Sequence, residues 1–170
     1  MKLPSSKRLI IEPLTAKDGE FMFKLMNSPG WLKYIGDRAI KNETDAEKYL
    51  LTNIIPSYNK HGFGLYKISL RNNSKVIGIC GLLQRDYLKS PDLGFAILPN
   101  HSGQGYAHEA SMAILHYAKK HLQIKIIEAI TVEDNHASIG LLKKLGFQRP
   151  EPIIRDNEQL LLFRKYLQLG

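Results

Sequence analysis

A pair of glycines, placed where a strand pattern gives way to a helix pattern, constrains this chain more than any other feature. The apolar run LGFAIL, residues 93–98, has the composition of a strand and stops at Pro99-Asn100. Gly103 and Gly105 follow, and apolar residues then recur at helical spacing as far as His121. Glycine lets the backbone approach a ligand closely, and the first N–H groups of a helix lack partners within it. The order predicts either an anion-binding turn or a tight turn that needs glycine only for its backbone angles.

The rest of the chain alternates between the period of strands and the longer period of amphipathic helices. We predict strands over 8–14, 64–70, 75–83, 93–98 and 124–132, and two more around the Asp156-Asn157 turn. Helices are predicted from Thr15, over 45–58 behind a Thr44/Glu47 capping box, and over 105–121 and 137–145, whereas 28–38 is predicted as loop. No repeat or linker interrupts this order, so we expect one mixed-sheet α/β domain spanning 1–170.

Composition narrows the range of partners. Lysine and arginine outnumber aspartate and glutamate by 24 to 16, and the net charge of +8 favours anionic ligands. The charges are dispersed, without a basic tail or zinc-type cysteine spacing, so direct nucleic-acid binding is not expected. The sequence has no membrane-length apolar run and no signal-peptide pattern, and its single cysteine, Cys80, cannot form an internal disulfide. We therefore expect a cytoplasmic protein without membrane attachment.

Two motifs resemble those of a known family. Residues 102–107, SGQGYA, resemble the acetyl-CoA loop of the GCN5-related N-acetyltransferases (GNAT), Q/R-x-x-G-x-G/A. The longer GQGYAHEA is similar to G-K-G-Y-A-x-E-A of the branch that contains the ribosomal-protein N-terminal acetyltransferases. Residues 135–147, NHASIGLLKKLGF, resemble the family's N-x-x-S-x-x-L-x-x-K-L-G-F, while neither GxxxxGK(S/T) nor GxGxxG is present. The resemblance covers nearly the whole chain and implies a GNAT-like α/β (α+β) domain with a central mixed, mostly antiparallel sheet flanked by helices.

The resemblance implies acetyl-CoA as co-substrate and assigns residues to it. It implies that a loop binds the pyrophosphate, namely Ser102, Gly103, Gln104, Gly105, Tyr106 and Ala107. It also implies that the pantetheine arm pairs with the end of the LGFAIL strand, namely Phe95, Ala96, Ile97 and Leu98, and that Asn135 meets this arm from the opposite side. Ser102 departs from the usual Gln or Arg, so we expect the main chain to make most of the pyrophosphate contact. Asn135 also suits a helix N-cap. His101 and His108 match no common ligand spacing, and no metal site is expected.

The reaction that the resemblance implies is direct attack of an amine on the thioester, with a backbone donor near the carbonyl oxygen. Ser138 is expected to hydrogen-bond the departing sulfur, unless it is an outward-facing polar residue of its helix. Two carboxylates are candidate bases. Glu128 would have a raised pKa if buried, although strand alternation also allows a salt bridge, and Asp92 equally suits a turn. Proton relay by water, without a single essential base, is the alternative.

The amine acceptor is less defined than the cofactor. Trp31, Tyr34 and Arg38 lie where the resembling branch builds its acceptor pocket, and core packing is the alternative interpretation of these residues. We expect a primary amine such as a protein N-terminal α-amine. The alternatives are a small amine, such as a polyamine or aminoglycoside, and a CoA-binding regulatory module without turnover. The oligomeric state is open between monomer and homodimer.

Overall fold

The computed structural model describes residues 3–4 and 6–168. The helices are α1 (Gly19–Met26), α2 (Pro29–Tyr34), α3 (Glu43–Tyr49), α4 (Ile55–His61), α5 (Tyr106–His121) and α6 (His136–Lys144). The strands are β1 (Leu9–Pro13), β2 (Leu65–Leu70), β3 (Val76–Leu83), β4 (Asp92–Ile97), β5 (Ile126–Thr131), β6 (Glu151–Arg155) and β7 (Glu158–Tyr166). Every strand predicted from the sequence is therefore present.

The strands form one sheet in the order β1-β2-β3-β4-β5-β7-β6. Neighbouring strands are antiparallel except β4 and β5, which run parallel. The parallel pair is connected by α5, because parallel neighbours need a long crossover whereas antiparallel neighbours can be joined by a turn. This architecture confirms the expected mixed, mostly antiparallel sheet.

Helices cover both faces of the sheet, which gives two hydrophobic layers. Ile79 and Cys80 are adjacent in β3, and strand alternation sends their side chains to opposite faces. Cys80 packs in the layer that contains Ile114 of α5, while Ile79 packs in the layer that contains Leu25 of α1 and Leu50. Among residues 3–4 and 6–168, no helix is both long and apolar enough to cross a membrane.

The prediction of loop over 28–38 is wrong at Pro29–Tyr34, which form α2, whereas 35–38 contains no helix or strand. The loop prediction treats Pro29 as a helix breaker. It stands at the first position of the helix, where its fixed φ is already helical and its missing N–H would have had no partner. The consequence is functional, because α2 carries Trp31 and Tyr34.

The predicted helix over 45–58 begins earlier and is interrupted. Asn42, not Thr44, is the N-cap, and its side chain accepts a hydrogen bond from the Asp45 N–H at 2.8 Å. A π-helical segment, Leu50–Ile54, separates α3 from α4. Pro56 follows this segment and has no N–H to donate to the preceding turn, which accounts for the local change of helix type.

Strands β4 and β5 meet at one point and then separate. Among the described residues, Asp92 and Glu128 are the single registered pair between them. The Glu128 N–H donates to the Pro91 carbonyl at 2.9 Å. Beyond this rung, the rest of β4 has no ladder partner on its β5 side in the described part of the chain, so a gap opens in the middle of the sheet.

Alternation decides which backbone groups of β4 face the gap. The Leu98 N–H donates to the Ile77 carbonyl at 2.8 Å, which directs the backbone of Leu98 toward β3. Since successive residues of a strand point their N–H and C=O groups to opposite edges, those of Phe95 and Ile97 point toward β5. The gap is therefore bordered by backbone donors and acceptors.

The Glu128 carboxylate holds the rung from the β5 side. It accepts hydrogen bonds from the Ser90 N–H and from Arg164 Nε, each at 3.0 Å, and the residue is 1% exposed. Arg164 also contacts Glu151, whose side chain is 55% exposed, at 2.8 Å.

We predict that Glu128→Ala lowers the free energy of unfolding by about 3 kcal/mol, because it leaves Arg164 and the Ser90 N–H without their buried acceptor. Glu151→Ala removes the exposed partner of the same arginine and should cost less than about 1 kcal/mol. Urea denaturation of the two variants measures both values. Equal losses would show that the rung does not depend on Glu128.

Candidate active site

The gap between β4 and β5 opens into a cleft of about 1570 Å³. Its lining extends from Asp92, the first residue of β4, and Arg85, which follows β3, to Gly103 and Ala107 around the start of α5. The open edge of β4 lies between these two ends. The cleft therefore connects a carboxylate at one end with a glycine turn at the other.

The glycine turn has the geometry of an anion cradle. Gly103 and Gly105 have φ values of +73° and +81°, a region that side chains other than glycine rarely adopt. Gly105 is the N-cap of α5 without a side-chain cap, and its carbonyl accepts the Glu109 N–H at 3.0 Å. The N–H groups of the three residues between them thus lack acceptors within the helix. A Cβ on Gly103 would meet nothing within 4 Å, so the turn is open toward a ligand.

Arg8 is a cleft residue that the sequence analysis missed. Its Nη1 donates to the Gln104 carbonyl at 3.1 Å, its guanidinium lies 4.5 Å from the Tyr106 ring centre, and its Nε is 2.5 Å from Glu109. The Glu109 carboxylate also accepts from the Ser6 hydroxyl at 2.5 Å. Burial would raise the pKa of Glu109, but the bonds from Ser6 and Arg8 hold it below its ordinary value. These contacts fasten the start of β1 to the glycine turn.

Most residues predicted to bind the cofactor line the cleft, namely Phe95, Ala96, Ile97, Ser102, Gly103, Gly105, Tyr106, Ala107, Asn135 and Ser138. Leu98 and Gln104 are not among the lining residues. The Leu98 N–H is occupied by Ile77, and the Gln104 amide donates to the Asn100 carbonyl at 3.3 Å. Gln104 nevertheless contributes its carbonyl to the Arg8 contact.

Asn135 and Ser138 face the cleft from the start of α6. The Asn135 side chain accepts a hydrogen bond from the Ser138 N–H at 3.2 Å, which confirms the predicted N-cap. Ser138 is partly buried and is one of the residues that line the cleft.

Asp92 is a buried carboxylate on the cleft wall. Its side chain is 2% exposed, and both oxygens lie 3.1 Å from Arg85 Nε. Burial raises the pKa of Asp92 to about 6; the Arg85 charge opposes this rise and the neighbouring Glu128 carboxylate adds to it. Asp92 therefore changes its protonation state close to neutral pH.

Glu128 is placed differently from Asp92, although the two are adjacent across the rung. It does not line the cleft, and its oxygens are bound to Ser90 and Arg164. This is the salt bridge that strand alternation allowed, and it favours a structural role over the predicted role as base.

The predicted acceptor residues Trp31, Tyr34 and Arg38 all line the cleft. Trp31 is also part of the α1–α4 core layer, so both interpretations apply to it, and its buried Nε1 has no hydrogen-bond partner among the described residues. Arg38 is exposed and forms no ion pair in the part of the chain that the structure describes. An exposed ion pair between Lys33 of α2 and Asp134, with a separation of 3.9 Å, connects α2 with the segment between β5 and α6.

Cys80 does not contribute to the cleft. It is fully buried beside Ser111, and burial raises the pKa of its thiol to about 12, so it is no nucleophile at neutral pH. Over the described ranges 3–4 and 6–168, no three His, Cys, Asp or Glu side chains are grouped as metal ligands.

Strands β4 and β5 separate beside the glycine turn, and a carboxyl group with a pKa of about 6 lies on the same cleft. This arrangement agrees with the class of protein implied by the sequence motifs, the N-acetyltransferases. The family model described as "Acetyltransferase (GNAT) domain" matches residues 8–148. The chain belongs to this acetyltransferase family.

Individual relatives support the assignment. The protein YnaD of Bacillus subtilis (strain 168), described as an uncharacterized N-acetyltransferase, is 27% identical over 145 residues, 85% of this chain and 82% of the relative. A putative ribosomal-protein-serine acetyltransferase from Vibrio cholerae superposes with a TM-score of 0.77 at 17% identity, over 98% of this chain and 100% of that one. Spermidine N-acetyltransferase from Vibrio cholerae, in complex with CoA and spermine, superposes with a TM-score of 0.77 at 16% identity, over 94% of this chain and 95% of that one. These two structures establish a shared fold.

The raised pKa of Asp92 predicts a specific pH dependence of stability. The folded state holds the proton up to about pH 6, whereas the unfolded carboxyl releases it near 3.8. The stabilising contribution is therefore complete below the unfolded pKa and is lost as the pH rises through the folded one, a change of about 3 kcal/mol. Asp92→Asn cannot titrate and should lack this decrease.

Denaturant unfolding of both proteins at several pH values between about 4 and 7 measures the difference. Identical pH profiles for the native protein and the variant would show that the Asp92 pKa is not raised.

Proposed function

We propose that the protein transfers the acetyl group of acetyl-CoA to a primary amine, with the α-amine of a peptide or protein N-terminus as acceptor. The observation that carries the proposal is one continuous cleft joining an anion cradle, an open strand edge and a carboxylate with a near-neutral pKa. A thioester carrier with a pyrophosphate needs the first two, and an ammonium acceptor needs the third.

The residues present fit acetyl-CoA. The free N–H groups at the start of α5 and the φ-positive Gly103 suit a pyrophosphate, because the helix dipole adds partial positive charge there. The inward-facing backbone groups of Phe95 and Ile97 suit the amides of the pantetheine arm, with Asn135 on the opposite wall. When bound, acetyl-CoA supplies the activated acetyl group.

Asp92 is proposed to receive the proton that the acceptor ammonium must lose. A carboxylate with a pKa of about 6 is mostly ionised at neutral pH and still basic enough to accept a proton. Arg85 Nε contacts both oxygens of Asp92 and so holds this carboxylate in its position on the cleft wall. Water in the cleft completes the path between the amine and Asp92.

Ser138 is proposed to donate its hydroxyl hydrogen bond to the departing sulfur. The Asn135 cap fixes the first turn of α6 and thereby the position of Ser138. A thiolate that accepts a hydrogen bond is a better leaving group, because its developing charge is stabilised.

Charge at the acceptor end favours a peptide amine over a polyamine. Among the described residues, Arg38 and Arg85 are the cations that line it, and Asp92, the carboxylate on its wall, is already paired with Arg85. Donors and cations suit an amine flanked by carbonyl oxygens, whereas several ammonium groups would need several free carboxylates.

The test is steady-state release of CoA from acetyl-CoA with two acceptors, a short peptide with a free N-terminus and spermidine. We expect kcat/KM to be at least about tenfold higher for the peptide. The same peptide with a blocked N-terminus and no lysine is the control and should give no turnover. Acetyl-CoA that raises the melting temperature without turnover on any amine would instead indicate a CoA-binding regulatory module.

We predict an acid limb near pH 6 in the kcat/KM profile, since protonated Asp92 cannot act as base. Asp92→Asn should remove the limb and lower the rate by roughly a hundredfold. Arg85→Gln should move the limb to higher pH, because the cation that lowers the Asp92 pKa is lost. An unchanged rate and limb in Asp92→Asn would assign the proton transfer to water alone.

A further inference from the structure

A second, smaller recess lies beside the anion end of the cleft. It has a volume of about 310 Å³ and is lined by Lys7, Arg8, Leu70, Arg71, Asn72 and Tyr106. Lys7, Arg8 and Tyr106 line the large cleft as well, so the recess and the cleft share a wall. The shared wall brings the turn between β2 and β3 close to the glycine cradle.

The recess is strongly cationic. Arg8 is balanced by Glu109. Arg71 Nη2 donates to the carbonyls of Ser6 and Leu9, at 3.0 and 3.1 Å, and within the described residues its charge has no carboxylate partner. Lys7 is exposed and has no ion pair among the residues that the structure describes, and no carboxylate lines the recess.

The two arginines, Arg8 and Arg71, are held in place before any ligand arrives. The Arg71 N–H donates to the Arg8 carbonyl at 2.8 Å, which fixes the β2–β3 turn against the start of β1. The Arg8 guanidinium lies over the Tyr106 ring, and Tyr106 is the first residue of α5. Groups that are already ordered lose little conformational entropy on binding, so their charge is available for affinity.

We infer that this recess binds a phosphate monoester. Such a group carries a charge of about −1.5 to −2 at neutral pH, which matches the two uncompensated cations, Lys7 and Arg71. Arginine and lysine donors form charge-assisted hydrogen bonds with phosphate oxygens. Asn72 adds an amide at the rim.

The phosphate monoester has two possible sources, and the wall that the recess shares with the cleft favours CoA. CoA carries a 3′-phosphate in addition to its pyrophosphate, and a pyrophosphate in the glycine cradle would leave the 3′-phosphate near the recess. This part of the inference rests on the proposed function. The recess would then supply the positive charge that the cradle lacks at Ser102. The other source is free phosphate or a separate phosphate monoester.

The experiment is titration calorimetry of the full chain with acetyl-CoA and with 3′-dephospho-acetyl-CoA. In the native protein we expect the missing phosphate to weaken binding by roughly tenfold. Lys7→Ala should weaken the binding of acetyl-CoA but not that of the dephospho form, so that the ratio of the two dissociation constants falls to about twofold. Lys60→Ala is the matched control, because Lys60 is an exposed lysine on α4, which precedes the opposite end of β2, and it should preserve the tenfold ratio.

Inorganic phosphate, added at constant ionic strength to thermal melts of the same variants, separates the two sources. Equal binding of both CoA forms, with phosphate stabilising the native protein but not Lys7→Ala, would assign the recess to free phosphate. Equal binding of both forms and no effect of phosphate would overturn the inference and leave the proposed function intact. Failure of acetyl-CoA itself to bind would contradict the proposed function. The thermal melts with phosphate would then still determine whether the recess binds a phosphate group.

Discussion

The single rung between β4 and β5 is the constraint on which the rest of the structure depends. Asp92 and Glu128 meet there, and the Glu128 N–H closes the rung on Pro91. Since the strands separate beyond it, backbone groups that a continuous sheet would pair internally are left facing a gap. Those groups are satisfied only by solvent or by a ligand, so the sheet carries a binding edge at its centre rather than at its rim.

The same rung sets the electrostatics of the cleft. Two carboxylates in one buried position would repel each other, and each is therefore supplied with its own arginine, Arg85 for Asp92 and Arg164 for Glu128. The partners produce different outcomes. Glu128 is enclosed by the Ser90 N–H and Arg164 and does not line the cleft, whereas Asp92 lies on the cleft wall with its pKa raised to about 6 by burial. The two neighbouring acids thus have different surroundings, one enclosed by its donors and one on the cleft wall.

The anion end of the cleft depends on contacts between distant parts of the chain. Arg8, at the start of β1, reaches the Gln104 carbonyl and the Glu109 carboxylate across the cradle. Arg71 then joins the β2–β3 turn to the same strand. The cradle is therefore supported by strands at the edge of the sheet, and a basic surface continues from it. This arrangement explains how a loop that begins with Ser102 retains a positive surrounding.

The sequence by itself determined the local features: the strand periods, the glycines with positive φ, the Asn135 cap and the motif order that indicates the family. Each of these depends on residues within a few positions of one another, so a pattern reveals them. The sequence pattern was misleading at α2, because proline is favourable at the first position of a helix, where Pro29 stands, and breaks a helix at interior positions. Only the tertiary structure decided that Asp92 faces the cleft and Glu128 does not, and that Arg8 and Arg71 flank the cradle. Burial and charge pairing arise from contacts between residues far apart in the chain, which local periodicity does not encode.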